Sequence, residues 1–261
     1  MEEIVANNKV AIYTALFGNY DDLIEPKGNF DNCDFICFTD QRHLKSQKWK
    51  IIFVDVSNEN DPVYLNRKYK FLPHEYLKEY NESMYVDANI QIINNPFRMV
   101  LNYLNTASIC IPKHFERDCI YEEISQCILL NKVSLDDGNA AINELEKNGY
   151  PKKIGLGENN IIIRRHNNPD VIFLMERWWS FFNQGAKRDQ FSLLYLSWKY
   201  NVKITLMNET SRNRNEYFRY HLHRSEKKLP LLERVYLYMK ANRFRHPIYD
   251  YVCRIYACKR S

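Results

Sequence analysis

Short apolar runs alternate with longer amphipathic segments along most of this chain. Lys9–Leu16, Asp34–Thr39 and Ile51–Val56 are apolar on both parities and bounded by turn residues, the pattern of strands covered on both faces by helices. Asp61–Tyr80 opens with Asp-Pro, an N-cap followed by a first helical residue, and carries Tyr64, Tyr69, Leu72 and Tyr76. Pro73 should kink that helix or restart it. Met84–Val86 and Ile90–Ile93 read as one strand interrupted at Asp87–Asn89. Helices are predicted over Pro96–Leu104, Glu116–Leu130 and Asp136–Asn148, the last stopped by Gly149 and Pro151. A β run at Asn160–Arg164 follows, then helices over Pro169–Phe182 and Asp189–Tyr200. Strands alternating with helices predict an α/β sandwich with a mainly parallel sheet, in which ligands gather at the carboxyl ends of strands.

The end of the chain has a different pattern. Leu231, Leu232, Val235, Tyr238 and Met239 recur at helical spacing with Arg234, Lys240 and Arg243 among them. Ile248, Tyr251, Val252 and Ile255 form a second stripe after Pro247. Basic, aromatic-rich amphipathic helices suit an anionic membrane surface, or packing on the body or on another subunit. Charge follows the same division: 13 Lys/Arg and 4 Asp/Glu between Ser211 and Ser261 give that stretch +9 and leave −4 for the first 210 residues. The net +5 taken alone would suggest nucleic acid, but no RRM-, KH- or helix-turn-helix-like signature accompanies the tail.

With 45% apolar and 26% charged residues in 261, a largely disordered chain is excluded, and the size favours one large domain. We expect a body at 1–210 and, at 211–261, a closing segment with a basic helical tail. Seven cysteines, odd in number and without a CxxC pair, argue against a zinc or disulfide framework. The acidic start lacks the pattern of a secretory signal, and no window reaches the ~18 apolar residues of a membrane span. The expected location is cytoplasmic, with peripheral attachment to the inner face of the cell membrane left open.

Polar equipment clusters just after the expected strands. Tyr13–Asp21 (YTALFGNYD) passes into a Gly-containing turn, Phe38–Arg42 (FTDQR) follows the second strand, and Tyr85–Ile90 (YVDANI) sets Asp87 and Asn89 two apart between apolar runs. Arg188–Ser192 (RDQFS) opens a helix, and Tyr217–Lys228 closes the body with His221 and His223. Oxygen-bearing side chains at i and i+2 on a bent strand end can face one divalent cation and the diphosphate it holds; hard oxygen ligands suit Mg²⁺ or Mn²⁺, and Mn²⁺ also accepts imidazole. The same tripeptide also serves as a plain turn between two strands. Upstream, Arg67 and Lys70 stand three apart on one helical face.

This order resembles the GT-A glycosyltransferases, in particular family 8-like enzymes. They place a basic residue on a helix, a Y-[LV]-D-x-D strand end some seventeen residues later, a D-Q pair on a helix, and a late His followed by Lys. Here Lys70 precedes Asp87 by seventeen, Asp189–Gln190 supplies the pair, and His221 precedes Lys227 by six. Asn89 stands in place of the second Asp, and no glycine lies between the late His and Lys. Over residues 9–205 the runs CFTD, YKFLPH, YVDANI, HFERDCIYEE, GLGENNIIIR, WW and RDQFS are similar to a family of glycosyltransferase-like domains. That family was long filed as a domain of unknown function and occurs in bacteria and in plant wall- and mucilage-related proteins.

The resemblance implies a GT-A-like, Rossmann-related, mixed and mainly parallel sheet flanked by helices, with a C-terminal helical extension. It also implies a glycosyltransferase of bacterial surface polysaccharide synthesis, taking a nucleotide sugar, with UDP as its nucleotide, and a glycan or lipid-linked acceptor. Thr14, Gly18, Tyr20 and Asp40 would surround the nucleoside. Arg67, Lys70, Asp87 and Lys227 would meet the diphosphate or sugar. Asp87, Asn89 and His221 would hold Mn²⁺ or Mg²⁺, with His223 as the substitute for His221. Asp189 and Gln190 would face sugar and acceptor, Asp189 as general base if configuration inverts or as a sugar-orienting group if it is retained. His114, Arg117 and Trp178 would lie on the acceptor side, although core packing is the alternative use of Trp178 and Trp179. The competing readings are a silent sugar-binding or scaffolding domain, suggested by Asn89, and a nucleic-acid-binding protein.

Overall fold

A computed structural model of the chain describes residues 9–56, 61–184 and 188–258. Residues 1–8 and the side chain of Cys258, both weighed above, lie outside the described residues. A seven-stranded sheet has its strands in the order β3 (Lys50–Phe53), β2 (Cys33–Thr39), β1 (Val10–Leu16), β4 (Ser83–Val86), β7 (Ile161–Arg164), β6 (Ile109–Pro112), β8 (Ile204–Met207). All pairs are parallel except those that β7 makes with β4 and with β6. A second, two-stranded sheet pairs β5 (Ile90–Ile92) with β9 (Phe218–Tyr220) antiparallel.

The period of two decides the core. On β1, Ala11, Tyr13 and Ala15 enter one apolar layer while Val10, Ile12 and Leu16 enter the other, and β2 divides the same way. Both parities are apolar because both faces are covered. The first layer is closed by α1 (Pro62–Phe71), α4 (Ile120–Leu129), α6 (Pro169–Gln184) and α7 (Leu193–Lys199), the second by α3 (Phe97–Leu104) and the small sheet. α5 (Leu135–Lys147) starts at its Ser134 N-cap and packs on α4.

Pro73 restarts the predicted long helix. α1 ends at Phe71, Leu72 leaves the helical region at φ −112° and ψ 51°, as a residue before proline is pushed to do, and α2 (Pro73–Tyr76) begins anew. α4 starts four residues later than expected, because Nδ1 of His114 takes the N–H groups of Glu116 and Arg117 and Cys119 is extended. The expected helix at 189–200 divides into a 3₁₀ turn, Asp189–Phe191, and α7. The four-residue strands β6 and β8 were not foreseen. The interrupted strand at 84–93 proves to be β4 and β5 in two different sheets, and Asp87–Asn89 is where the chain crosses between them.

Residues 211–228 stay on the body through β9 and a 3₁₀ turn at Glu226–Lys228. The tail follows as α8 (Leu231–Ala241) and α9 (Pro247–Cys258), packed on each other. Cys33, Cys37, Cys110, Cys119, Cys127 and Cys253 are free thiols in buried positions.

Candidate active site

β1 has β2 on one side and β4 on the other, so the chain order reverses beside β1. Such a switch point opens a crevice at the carboxyl ends of the two strands. After β1, Gly18 turns the chain at φ +66°, and a Cβ there would stand 2.5 Å from Cγ of Pro62. Asp40, just past β2, takes the Gly18 N–H on both carboxylate oxygens at 3.2 and 3.0 Å. Tyr20 is exposed on the same turn, whereas Thr14 is fully buried. Thr14 lies inside β1 and presents no surface to a nucleoside.

α1 crosses over this crevice. Its N-cap Asp61 accepts from the N–H groups of Val63 and Tyr64, and Asn66 Nδ2 donates to the Ala15 carbonyl at 2.5 Å. At its other end, the Lys70 carbonyl accepts from Tyr13 Oη at 3.1 Å and from Arg164 Nη2 at 2.8 Å. Arg164 is wholly buried, also bonds Tyr13 Oη, and among the described residues has no carboxylate as a hydrogen-bond partner. Burial lowers its pKa. A cation at the C-terminus of a helix meets the orphan carbonyls of its last turn, which is what holds this guanidinium there.

So anchored, α1 presents Arg67 and Lys70. Lys70 is 2% exposed; its Nζ lies 2.6 Å from Asp189 Oδ2, 3.9 Å from Asp87 Oδ1 and 5.0 Å from the Tyr85 ring centroid. Arg67 Nε lies 3.6 Å from the same Asp189 oxygen. Burial alone would raise the Asp189 pKa, but Arg67 and Lys70 outweigh it and hold the carboxyl well below the usual range. A carboxylate held in its charged form by two cations is a weak proton acceptor near neutrality. Asp87, after β4, accepts from Tyr85 Oη at 2.9 Å.

The loop before β7 backs the same residues. Gln190 Nε2 donates to the Gly157 carbonyl at 3.3 Å, Asn159 Nδ2 to the Asp189 carbonyl at 3.0 Å, and Asp87 N–H to the Asn160 carbonyl at 2.9 Å. Between them Glu158 lies buried beside Arg212, and burial raises its pKa to about 7.

The closing segment covers the turn after β1 from the far end of the sequence. Buried Asp21 sets Oδ2 at 2.6 Å from Nδ1 of His223 and accepts the Arg224 N–H on Oδ1 at 3.1 Å. Asp22 pairs with Lys227 at 2.8 Å and Arg224 at 3.5 Å, so the Lys227 charge is already shared. Burial pushes the His223 pKa down, but the Asp21 hydrogen bond and charge outweigh it and the net shift is upward. Nε2 of His223 is 3.4 Å from Nδ2 of Asn89, which donates to the His221 carbonyl at 2.9 Å. The His221 ring is directed elsewhere, 3.2 Å from Gln91 Oε1, and burial lowers its pKa.

His223 therefore takes the place expected of His221. The chain leaves the strand after Tyr220, so the two rings, two residues apart, are not held to one face as they would be within a strand. Asp87, Asn89 and His223 offer oxygen and nitrogen donors of the type a divalent cation accepts. A buried carboxylate behind the histidine, here Asp21, is the usual support of a metal-binding imidazole. Among the described residues no three His, Cys, Asp or Glu side chains converge on one point, so any cation here would depend on Asn89 and on ligand oxygens.

The acceptor-side residues separate. Trp178 is fully buried, stacked on Phe71 at 3.6 Å between ring centroids, and its Nε1 donates to Ser192 Oγ at 3.0 Å. It is a core residue and faces no acceptor. His114 is buried with its pKa lowered to about 4 by burial, and it orders the loop that starts α4. Arg117 pairs with Glu123 at 2.5 Å and lines an open trough of about 540 Å³ with Tyr121, Glu122, Lys152 and Lys153. Asp21, Glu158 and Arg164 were not singled out in the sequence, although the YTALFGNYD turn contains the first and the GLGENNIIIR run the other two.

Residues 1–223 match the model of the TOD1/MUCI70, glycosyltransferase-like domain family, and the chain belongs to that family. No curated protein matches it in sequence. Among solved structures, the WbbM bifunctional glycosyltransferase in its apo form matches at a TM-score of 0.52 and 9% identity, over 92% of this chain and 45% of that one. Mouse xyloside xylosyltransferase 1, also apo, matches at a TM-score of 0.47 and 14% identity, over 79% and 87%. The glycosyltransferase GlyE of Streptococcus pneumoniae TIGR4 matches at 0.45 and 9%, over 77% and 45%. This chain thus spans under half the length of two of these three proteins. The fold is GT-A-like, a mixed and mostly parallel sheet flanked by helices.

Proposed function

For this member of a glycosyltransferase-like family, we propose transfer of a sugar from a nucleotide-sugar donor, with UDP as the expected nucleotide, to a glycan or lipid-linked acceptor of surface polysaccharide synthesis. The observation that carries the reading is the buried Lys70–Asp189–Arg67 cluster beside Asp87 at the switch point of the sheet. Lys70 is buried and Asp189 and Arg67 are mostly covered, and gathering such charges is costly unless they are paired or serve a charged ligand.

In such a transfer the glycosidic C1–O bond to the diphosphate breaks and negative charge builds on the leaving oxygens. Arg67, Lys70 and Lys227 are the cations nearest that event, and their interaction grows as the charge develops, which lowers the barrier more than it favours the ground state. A divalent cation held by Asp87, Asn89 and His223 would supply further neutralisation of the diphosphate when bound. Asp189, pinned by Arg67 and Lys70, orients sugar hydroxyls, and Gln190 fixes the loop beside it.

A panel of nucleotide sugars with Mn²⁺ tests this by donor hydrolysis and transfer. We expect turnover that falls at least about 100-fold in Asp87→Ala and Asp189→Ala. Unchanged turnover in both variants would sink the site assignment. Tight nucleotide-sugar binding without turnover across the panel would instead favour a silent sugar-binding domain.

A further inference from the structure

The hairpin of α8 and α9 inverts the ordinary rule of burial. α8 has no buried side chain, and Leu232 is 84% exposed. At about 100° per residue, exposed Leu231, Leu232, Val235 and Tyr238 fall within an arc of roughly 120° on α8, and exposed Ile248, Tyr251 and Ile255 share one side of α9. These faces belong to a firmly seated element. Arg245 Nη1 donates to the carbonyls of Ser211 and Phe218 at 3.1 and 2.8 Å, and Asn242 and Cys253 are buried. Arg243 pairs with Glu116 at 2.9 Å, and the Phe244 ring meets Phe115 edge-on, which joins the hairpin to the loop carrying His114 and Arg117.

Charge selects the occupant of this surface. Between residues 224 and 258 there are eight Lys/Arg and three Asp/Glu. Lys228, Lys240 and Arg254 are exposed, and Arg234 and Arg254 border the two apolar arcs. A second copy laid on the same face would bring like charges together, and an uncharged apolar partner would strip them of water without compensation. An anionic lipid surface satisfies both features, taking the apolar side chains at the acyl boundary and the cations among its headgroups. No described helix is long and apolar enough to cross a membrane, so attachment would lie in the interface plane.

We propose that the chain rests on an anionic lipid surface through the exposed faces of α8 and α9, with the Arg117 loop held next to that surface. The surface chemistry stands independently of the transferase reading. The test is co-sedimentation of the full chain with phosphatidylcholine vesicles, with and without phosphatidylglycerol. Binding is expected only to the anionic vesicles and should weaken as salt rises. The double change Arg234→Glu with Arg254→Glu should cut binding roughly tenfold or more, and Leu232→Ser with Ile248→Ser should do the same by removing the inserted side chains. UDP binding, followed by calorimetry, should be unaltered in both variants and shows that they fold. Equal binding to neutral vesicles, variants that bind like wild type, or a lipid-free dimer that Leu232→Ser dissolves would each overturn the proposal. A wild-type chain that binds vesicles but no nucleotide would defeat the transferase reading and leave this one standing.

Discussion

The corner around Lys70 and the hairpin of α8 and α9 break the same rule in opposite directions. In the corner, Lys70, Asp189, Arg164 and Glu158 are charged or titratable and withdrawn from water. In the hairpin, Leu231, Leu232, Ile248 and Tyr251 are apolar and left in it. Burying charge requires partners, so the corner is assembled from five separated stretches of chain and cannot be altered piecemeal. Exposing apolar surface requires nothing from the rest of the fold, so the hairpin can change with little structural effect. A charged ligand makes sense of the first region, and a surface outside the molecule makes sense of the second.

The comparison can be broken most forcefully at Lys70. Lys70→Met leaves Asp189 to Arg67 alone, and breaking a buried pair of this kind costs about 3–5 kcal/mol. Turnover should fall roughly 10²–10³-fold together with the urea midpoint. Stability at the wild-type level would show that the cluster is not coupled as its geometry indicates.

Acid should act on the body before it acts on the hairpin. His114 and His166 are buried with pKa values lowered to about 4 by burial, against about 6.5 in an unfolded chain. Both are neutral in the fold and must take up protons on unfolding. Their contribution, up to about 3 kcal/mol each, is complete above pH 6.5, is lost as pH falls toward 4 and then levels off. Asp189, whose folded pKa is depressed, contributes above the unfolded carboxylate value near 4, and that part is lost only as pH falls further. Urea unfolding followed across this range should show the two stages in that order, and Asp189→Asn should remove the second.

The smallest effect sharpens the contrast. Leu232→Ser should change unfolding free energy by no more than about 0.5 kcal/mol, while Leu174→Ala, in the fully buried layer on α6, should cost about 2–5 kcal/mol. A comparable loss in both would mean that the exposed face of α8 is covered in the free chain.

Much of this was legible one residue at a time. The Asp61–Pro62 start of α1, the split at Pro73 and the double-parity strands β1 and β2 follow from local rules of backbone and burial. So does the spacing of Arg67 and Lys70 on one helical face. The strands β6 and β8 were not legible, because their assignment depends on pairing with each other and with β7, far along the chain. Which of His221 and His223 meets Asp21 and Asn89 could not be chosen in the sequence, since the β5–β9 pairing just before them joins residues 126 to 130 apart. Trp178 could not be placed by type alone; its stacking on Phe71 decides for the core.

By itself, then, the sequence determined the element types, the family and the set of chemical groups available, because those depend on local propensity and on ordered motifs. Only the tertiary structure decided which groups meet. Lys70 and Asp189 are 119 residues apart, and Asp21 and His223 are 202 apart. Whether such pairs form, and how far each pKa moves in consequence, depends on distance and burial, and neither exists before the chain has folded.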